Sequence, residues 1–140
     1  MYNYIIKTHA VGTLYTKPHF FVLNKGLNSG KPQQEPFTNC FVIIFQNEEH
    51  KEDIFWIAMS LWKSKFWHPF LRCSVIPFIA LQEFKKEFNP KVNRLLQEHE
   101  LHKKNVQALK ILQEQENHYA KNMHLINELR NAILIRYRMK

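Results

Sequence analysis

The last fifty residues of the chain, 91–140, contain neither glycine nor proline. They are filled with Leu, Gln, Glu, Lys and Asn, most of which lose little rotamer freedom in a helix. Leu112, Tyr119, Ile126 and Ile133 recur at seven-residue intervals, with Leu109, Met123, Leu129 and Tyr137 on flanking positions. A seven-residue apolar repeat is the seam of a coiled coil, so this face needs a cover. Fifty helical residues reach ~75 Å at 1.5 Å per residue, against a radius of gyration near ~14 Å for a compact chain of this length. The segment therefore either folds back on itself, near residues 98–104 or 113–118, or projects and pairs with a second copy or a helical protein partner.

Ahead of this segment the pattern changes. Residues 2–9 and 20–23 read as strands, and Gly12 with Thr13 offers a turn between them. Residues 24–32, NKGLNSGKP, are dense enough in Gly, Asn, Ser and Pro to form a surface loop. The six-residue apolar run from Cys40 to Phe45 fits a strand buried on both faces at the centre of the sheet. Asn47 can cap a helix whose start carries Glu48, Glu49, Glu52 and Asp53, acids that suit the positive end of a helix dipole. Ile54, Ile57, Ala58, Leu61 and Trp62 then follow at helical spacing and define its buried face, and the tryptophans of this region are expected in the core. Pro69 and Pro77 bracket residues 68–79, HPFLRCSVIPFI, which are expected to be extended or irregular. A short helix over residues 81–88 precedes Asn89 and Pro90, a cap and first-turn pair that marks the start of the long helix.

The expected fold is α+β: a small aromatic-rich mixed sheet with one or two packing helices over residues 1–89, followed by a long C-terminal helix or helical hairpin over residues 90–140. Eleven Phe, five Tyr and three Trp give the first part its core material, since only Tyr119 and Tyr137 lie beyond residue 90. No apolar run approaches the ~18 residues of a membrane span, and the first ten residues lack a signal-peptide pattern, so a cytoplasmic protein is expected. Cys40 and Cys73 are too few and too far apart for a disulfide scaffold, and are expected to be reduced and buried.

The net charge of +8 is uneven. Residues 1–46 hold four Lys and one Glu, residues 47–90 six bases and six acids, and residues 91–140 ten bases and five acids. Such an excess favours polyanionic partners. Lys17, Lys25, Lys31 and Arg72 lie on or beside expected loops, and Asn24 and Asn28 can hydrogen-bond phosphates or base edges. These six residues are the candidate DNA contacts.

Other chemistry finds less support. Residues 26–31 resemble a phosphate-binding loop in having glycines before a lysine, but only three residues separate the glycines and Pro32 follows where Ser or Thr is needed. His99 and His102 share a helix face yet make two ligands, short of the three or four that zinc requires, so no metal and no cofactor is expected. Cys73 and Ser74 near His68 lack any nucleophile signature, and no constellation of acid, base and nucleophile emerges.

Two stretches, PHFFVLNKGLNSGKP at 18–32 and HPFLRCSVIPFI at 68–79, resemble an uncharacterised bacterial family of unknown function from gut commensals. That resemblance covers most of the chain and implies a bacterial origin, on mobile elements, without an activity. The order of strand, loop, helix, the phrase FLRCSVIPFI and a long Leu/Gln/Glu-rich helix is also similar to the end of a target-recognition domain in type I restriction specificity subunits. That likeness implies a globular module reading DNA and a long helix that pairs antiparallel to set the spacing, with no catalytic residue. The reading is a non-enzymatic DNA-binding or DNA-associated protein that dimerises through Leu109, Leu112, Tyr119, Met123, Ile126, Leu129, Ile133 and Tyr137. The alternative is a protein-interaction or assembly module in which the basic charge is incidental.

Overall fold

The computed structural model describes residues 3–139, so Tyr2 of the first expected strand and Lys140 of the expected helix lie outside the described residues. Four strands, β1 (Tyr4–Thr8), β2 (His19–Leu23), β3 (Pro32–Gln33) and β4 (Cys40–Phe45), form one sheet in the order β1-β4-β2-β3. All pairings are antiparallel, where a mixed sheet was expected. The apolar run of β4 lies between β1 and β2, and Ile43 faces Ile6 on one side and Phe20 on the other. Alternation then divides the sheet in two. Phe41, Ile43 and Phe45 of β4 join Phe20, Val22 and Ile6 on one face, while Cys40 and Val42 join Phe21 on the other, beside Tyr15.

Helices cover the first of these faces. In α1 (Glu48–Lys63) the Asn47 side chain accepts the His50 backbone N–H at 2.9 Å, the N-cap that the sequence calls for. Ile54, Ile57, Ala58 and Leu61 point from α1 into the core. After α1 the chain turns through Lys65 at φ 60° into a short 3₁₀ turn, His68–Phe70. Trp67 drops from this bend into the core and stacks on Phe84 at 4.8 Å, and Phe84 stacks on Phe88 at 5.0 Å.

Phe84 and Phe88 belong to α2 (Leu81–Gln97), which corrects the expected helix start at Asn89 and Pro90. Pro90 lies inside α2, and the interruption comes at Glu98 (φ −100°, ψ 46°). The reason is burial. Phe84, Phe88 and Val92 recur every four residues and are buried, so the apolar stripe passes straight across Pro90. Each such side chain is worth about 1.5–3 kcal/mol, together more than the ~3 kcal/mol a proline costs inside a helix. Asn89 serves a tertiary tie instead of a cap, its Oδ1 accepting the Tyr4 hydroxyl at 2.6 Å.

The chain divides into two compact units after Gln97. The second is α3 (His99–Arg138), forty residues of uninterrupted helix and not a hairpin, about 60 Å long. No helix among the described residues is long and apolar enough to cross a membrane.

Candidate nucleic-acid interface

The loop between β2 and β3 is held by its own backbone and by a neighbouring segment. Gly30 N–H donates to the Leu23 carbonyl (2.7 Å), Lys31 N–H to that of Asn28 (3.0 Å), and Ser29 Oγ to that of Gly26 (2.6 Å). Ser29 and Gly30 are buried, and Gly30 sits at φ +95° with Trp67 Nε1 only 2.6 Å from where a Cβ would stand. From the far side, Gly26 N–H donates to the Pro77 carbonyl (2.6 Å) and Ile79 N–H to that of Asn24 (3.0 Å).

This second attachment brings distant residues together. Residues 72–78 close into a tight ribbon, with Arg72 and Phe78 exchanging both backbone hydrogen bonds (2.9 and 3.0 Å), and Phe78 bridges in turn to Lys25. Directly opposed residues on neighbouring strands share a face, so Lys25 and Arg72 flank the partly exposed Phe78 ring. Arg72 also approaches Glu83, its guanidinium 3.7 Å from the carboxylate.

At the other end of the loop, Leu27 and Asn28 face Trp62, Lys63, Lys65 and His68 across a cleft of about 370 Å³ whose lining holds no carboxylate. Lys31 Nζ stands 5.1 Å above the Trp62 ring, a cation–π contact that holds the ammonium at the edge of this region. Of the six candidate DNA contacts, Lys25 and Arg72 are both backbone neighbours of Phe78, Asn28 and Lys31 border the cleft, and Asn24 donates its backbone N–H to Asn39 and accepts that of Ile79. Lys17 lines a different cleft of about 440 Å³, shared with Glu35, Glu48 and Lys51.

Trp62, Lys63, Lys65 and His68 were not singled out as contacts from sequence. An aromatic followed within six residues by two lysines and a histidine is the signal that could have found them, but Trp62 was assigned to the core. Trp67 is the tryptophan that fills the core, whereas Trp56 and Trp62 are half-buried.

The thiols differ. Cys40 is buried, and burial pushes its thiol above the usual range. Cys73 is exposed, contrary to expectation, because residues 72–78 form a surface ribbon that puts it at φ 71°. The backbone N–H groups of Ile76 and Val75 hold its thiol below the ordinary value. Among the described residues no group of three or more His, Cys, Asp or Glu could hold a metal ion.

On α3, Leu112, Tyr119, Met123, Ile126, Leu129, Ile133 and Tyr137 are 50–83% exposed, and Leu109 is half-buried. No curated protein and no solved structure matches the chain, and no comparison carries the likeness to restriction specificity subunits or an origin in gut commensals. One family does match, over residues 6–136, and includes both stretches that carry the resemblance to a family of unknown function. The chain belongs to that family, DUF6943, a family of unknown function.

Proposed function

We propose that the protein is a non-enzymatic nucleic-acid-binding protein that contacts DNA through the basic surface around the 24–31 loop and associates through α3. One observation carries the reading. Basic side chains from three stretches (Lys25 and Lys31; Lys63 and Lys65; Arg72) gather at one backbone-locked loop, and the cleft beside it is lined without a carboxylate. Phosphate contacts made by such groups release counterions, so affinity falls steeply with salt. Trp62 and Phe78 add ring surface on which an unpaired base could stack. The likeness to restriction specificity subunits is not part of the support.

The test is fluorescence anisotropy with labelled single- and double-stranded DNA across a salt series. Binding at about 50 mM salt that weakens by a factor of ten or more by about 200 mM is the expected result. Lys25→Glu together with Lys65→Glu is expected to abolish it, while Lys17→Glu changes it little. No binding at the lowest salt removes the reading. The exposed seam of α3 favours a second reading, an assembly module without nucleic acid. That reading gains if the protein self-associates in light scattering while DNA fails to bind.

A further inference from the structure

We infer that α3 pairs with the α3 of a second copy in antiparallel orientation, in a register that sets Met123 of one copy against Ile126 of the other. This rests on the association part of the proposed function and adds the partner and its direction. The two seam positions that are not apolar set the direction. Continuing the heptad spacing from Leu109 and Leu112 gives nine inward positions up to Tyr137. Seven are apolar, and the other two are Glu116 and Arg130.

In a parallel, in-register pair each inward residue meets its own copy. Glu116 would face Glu116 and Arg130 would face Arg130, two like-charge contacts in the middle of the seam. Antiparallel pairing removes both. With Met123 set against Ile126, Tyr119 meets Arg130, Glu116 meets Ile133, and Leu112 meets Tyr137 of the second copy. Each Glu116 then lies one layer, about 5 Å along the axis, from Arg130 of the other chain. Arg136 of that chain lies within a turn on the other side. Two-fold symmetry repeats this at both ends of the seam, as an isologous interface requires. The flanking positions do not oppose it: Gln115, Asn122, Gln113, Ala120 and Asn127 carry no charge. Glu116 and Arg130 are both exposed on α3, and Arg130 also donates to Asn127 Oδ1 at 3.2 Å.

The experiment uses the full chain in a Cys73→Ser background, with the buried Cys40 left in place. A spin label at Gln107→Cys, exposed and on the outward side of the helix, reports the distance between copies by pulsed electron resonance. Antiparallel pairing in the stated register separates the two labels by about 50 Å along the axis, whereas parallel pairing leaves them about 20 Å apart or closer. The second arm exchanges charges. Glu116→Arg and Arg130→Glu are each expected to weaken the dimer roughly tenfold, and the double exchange to restore it, because opposite charges again meet across the interface. A dimer with a short label distance, or a double exchange as weak as the singles, overturns the antiparallel pairing and leaves self-association standing. A monomer at every concentration overturns both.

Discussion

Gly30 is the residue on which the candidate interface turns. Its φ of +95° suits a residue without a side chain, and any Cβ would enter the Trp67 indole, a ring fixed by stacking on Phe84. Gly30→Ala is therefore expected to cost about 2 kcal/mol or more, from left-handed backbone strain together with overpacking. Gly26 has a similar φ of +89° but open space around its missing Cβ, so Gly26→Ala pays the backbone cost alone, about 1 kcal/mol. Thermal denaturation of the two variants side by side checks the difference, and equal melting temperatures would remove the Trp67 clamp from the account. Cys73 gives a second prediction. With its thiol lowered by the Ile76 and Val75 N–H groups, it should be alkylated near neutral pH faster than an ordinary thiol, along a rate–pH curve displaced to lower pH. One thiol per folded chain is expected to react with Ellman's reagent, none after Cys73→Ser, and Cys40 only on unfolding. Tyr4 carries a third. Burial raises its hydroxyl to about 12 from 10, so the unfolded chain loses that proton first as the solution becomes alkaline. Its contribution is whole below about pH 10 and is lost as pH rises through about 12, and Tyr4→Phe should flatten that part of the stability curve.

The elements show where local pattern sufficed and where packing overruled it. β4 was legible because six apolar residues in a row leave a short chain few places except the middle of a sheet. α1 was legible because its cap, acidic start and apolar spacing agree, and Asn47→Ala should cost about 1 kcal/mol. The boundary at Asn89 and Pro90 misled, since cap and proline rules describe isolated helix ends and know nothing of Phe84, Phe88 and Val92 reaching one core. Pro90 is exposed on the resulting helix, so Pro90→Ala should stabilise by about 1–2 kcal/mol, the gain of an interior helix position less the entropy returned to the unfolded chain. A loss of stability there would mean that the proline, and not the apolar stripe, sets the course of α2. Half of the candidate interface was legible for a related reason. Lys25, Asn28 and Lys31 announce a loop, and Arg72 lies between Pro69 and Pro77, but only the bridges through Phe78 bring Lys25 and Arg72 together. The partners across the cleft sit on a bend at Lys65 whose left-handed backbone has no glycine to announce it.

The whole molecule pairs a unit rich in aromatics with a helix that leaves its apolar edge uncovered. Helicity in α3 should therefore depend on association, because an isolated helix gains little from propensity alone. Circular dichroism on dilution is expected to lose signal as the seam dissociates, and Ile126→Asp should bring the same loss at concentrations where the parent chain stays paired. Undiminished helix content in a monomeric Ile126→Asp chain would show that α3 needs no cover. The sheet bears on the same question from another side. Its β3 border is two residues long and begins with Pro32, which has no amide hydrogen, so an incoming strand finds almost no ladder to extend there. Fibril-like growth along that border is closed off, so copies that meet there are steered away from strand exchange and toward encounters between side chains.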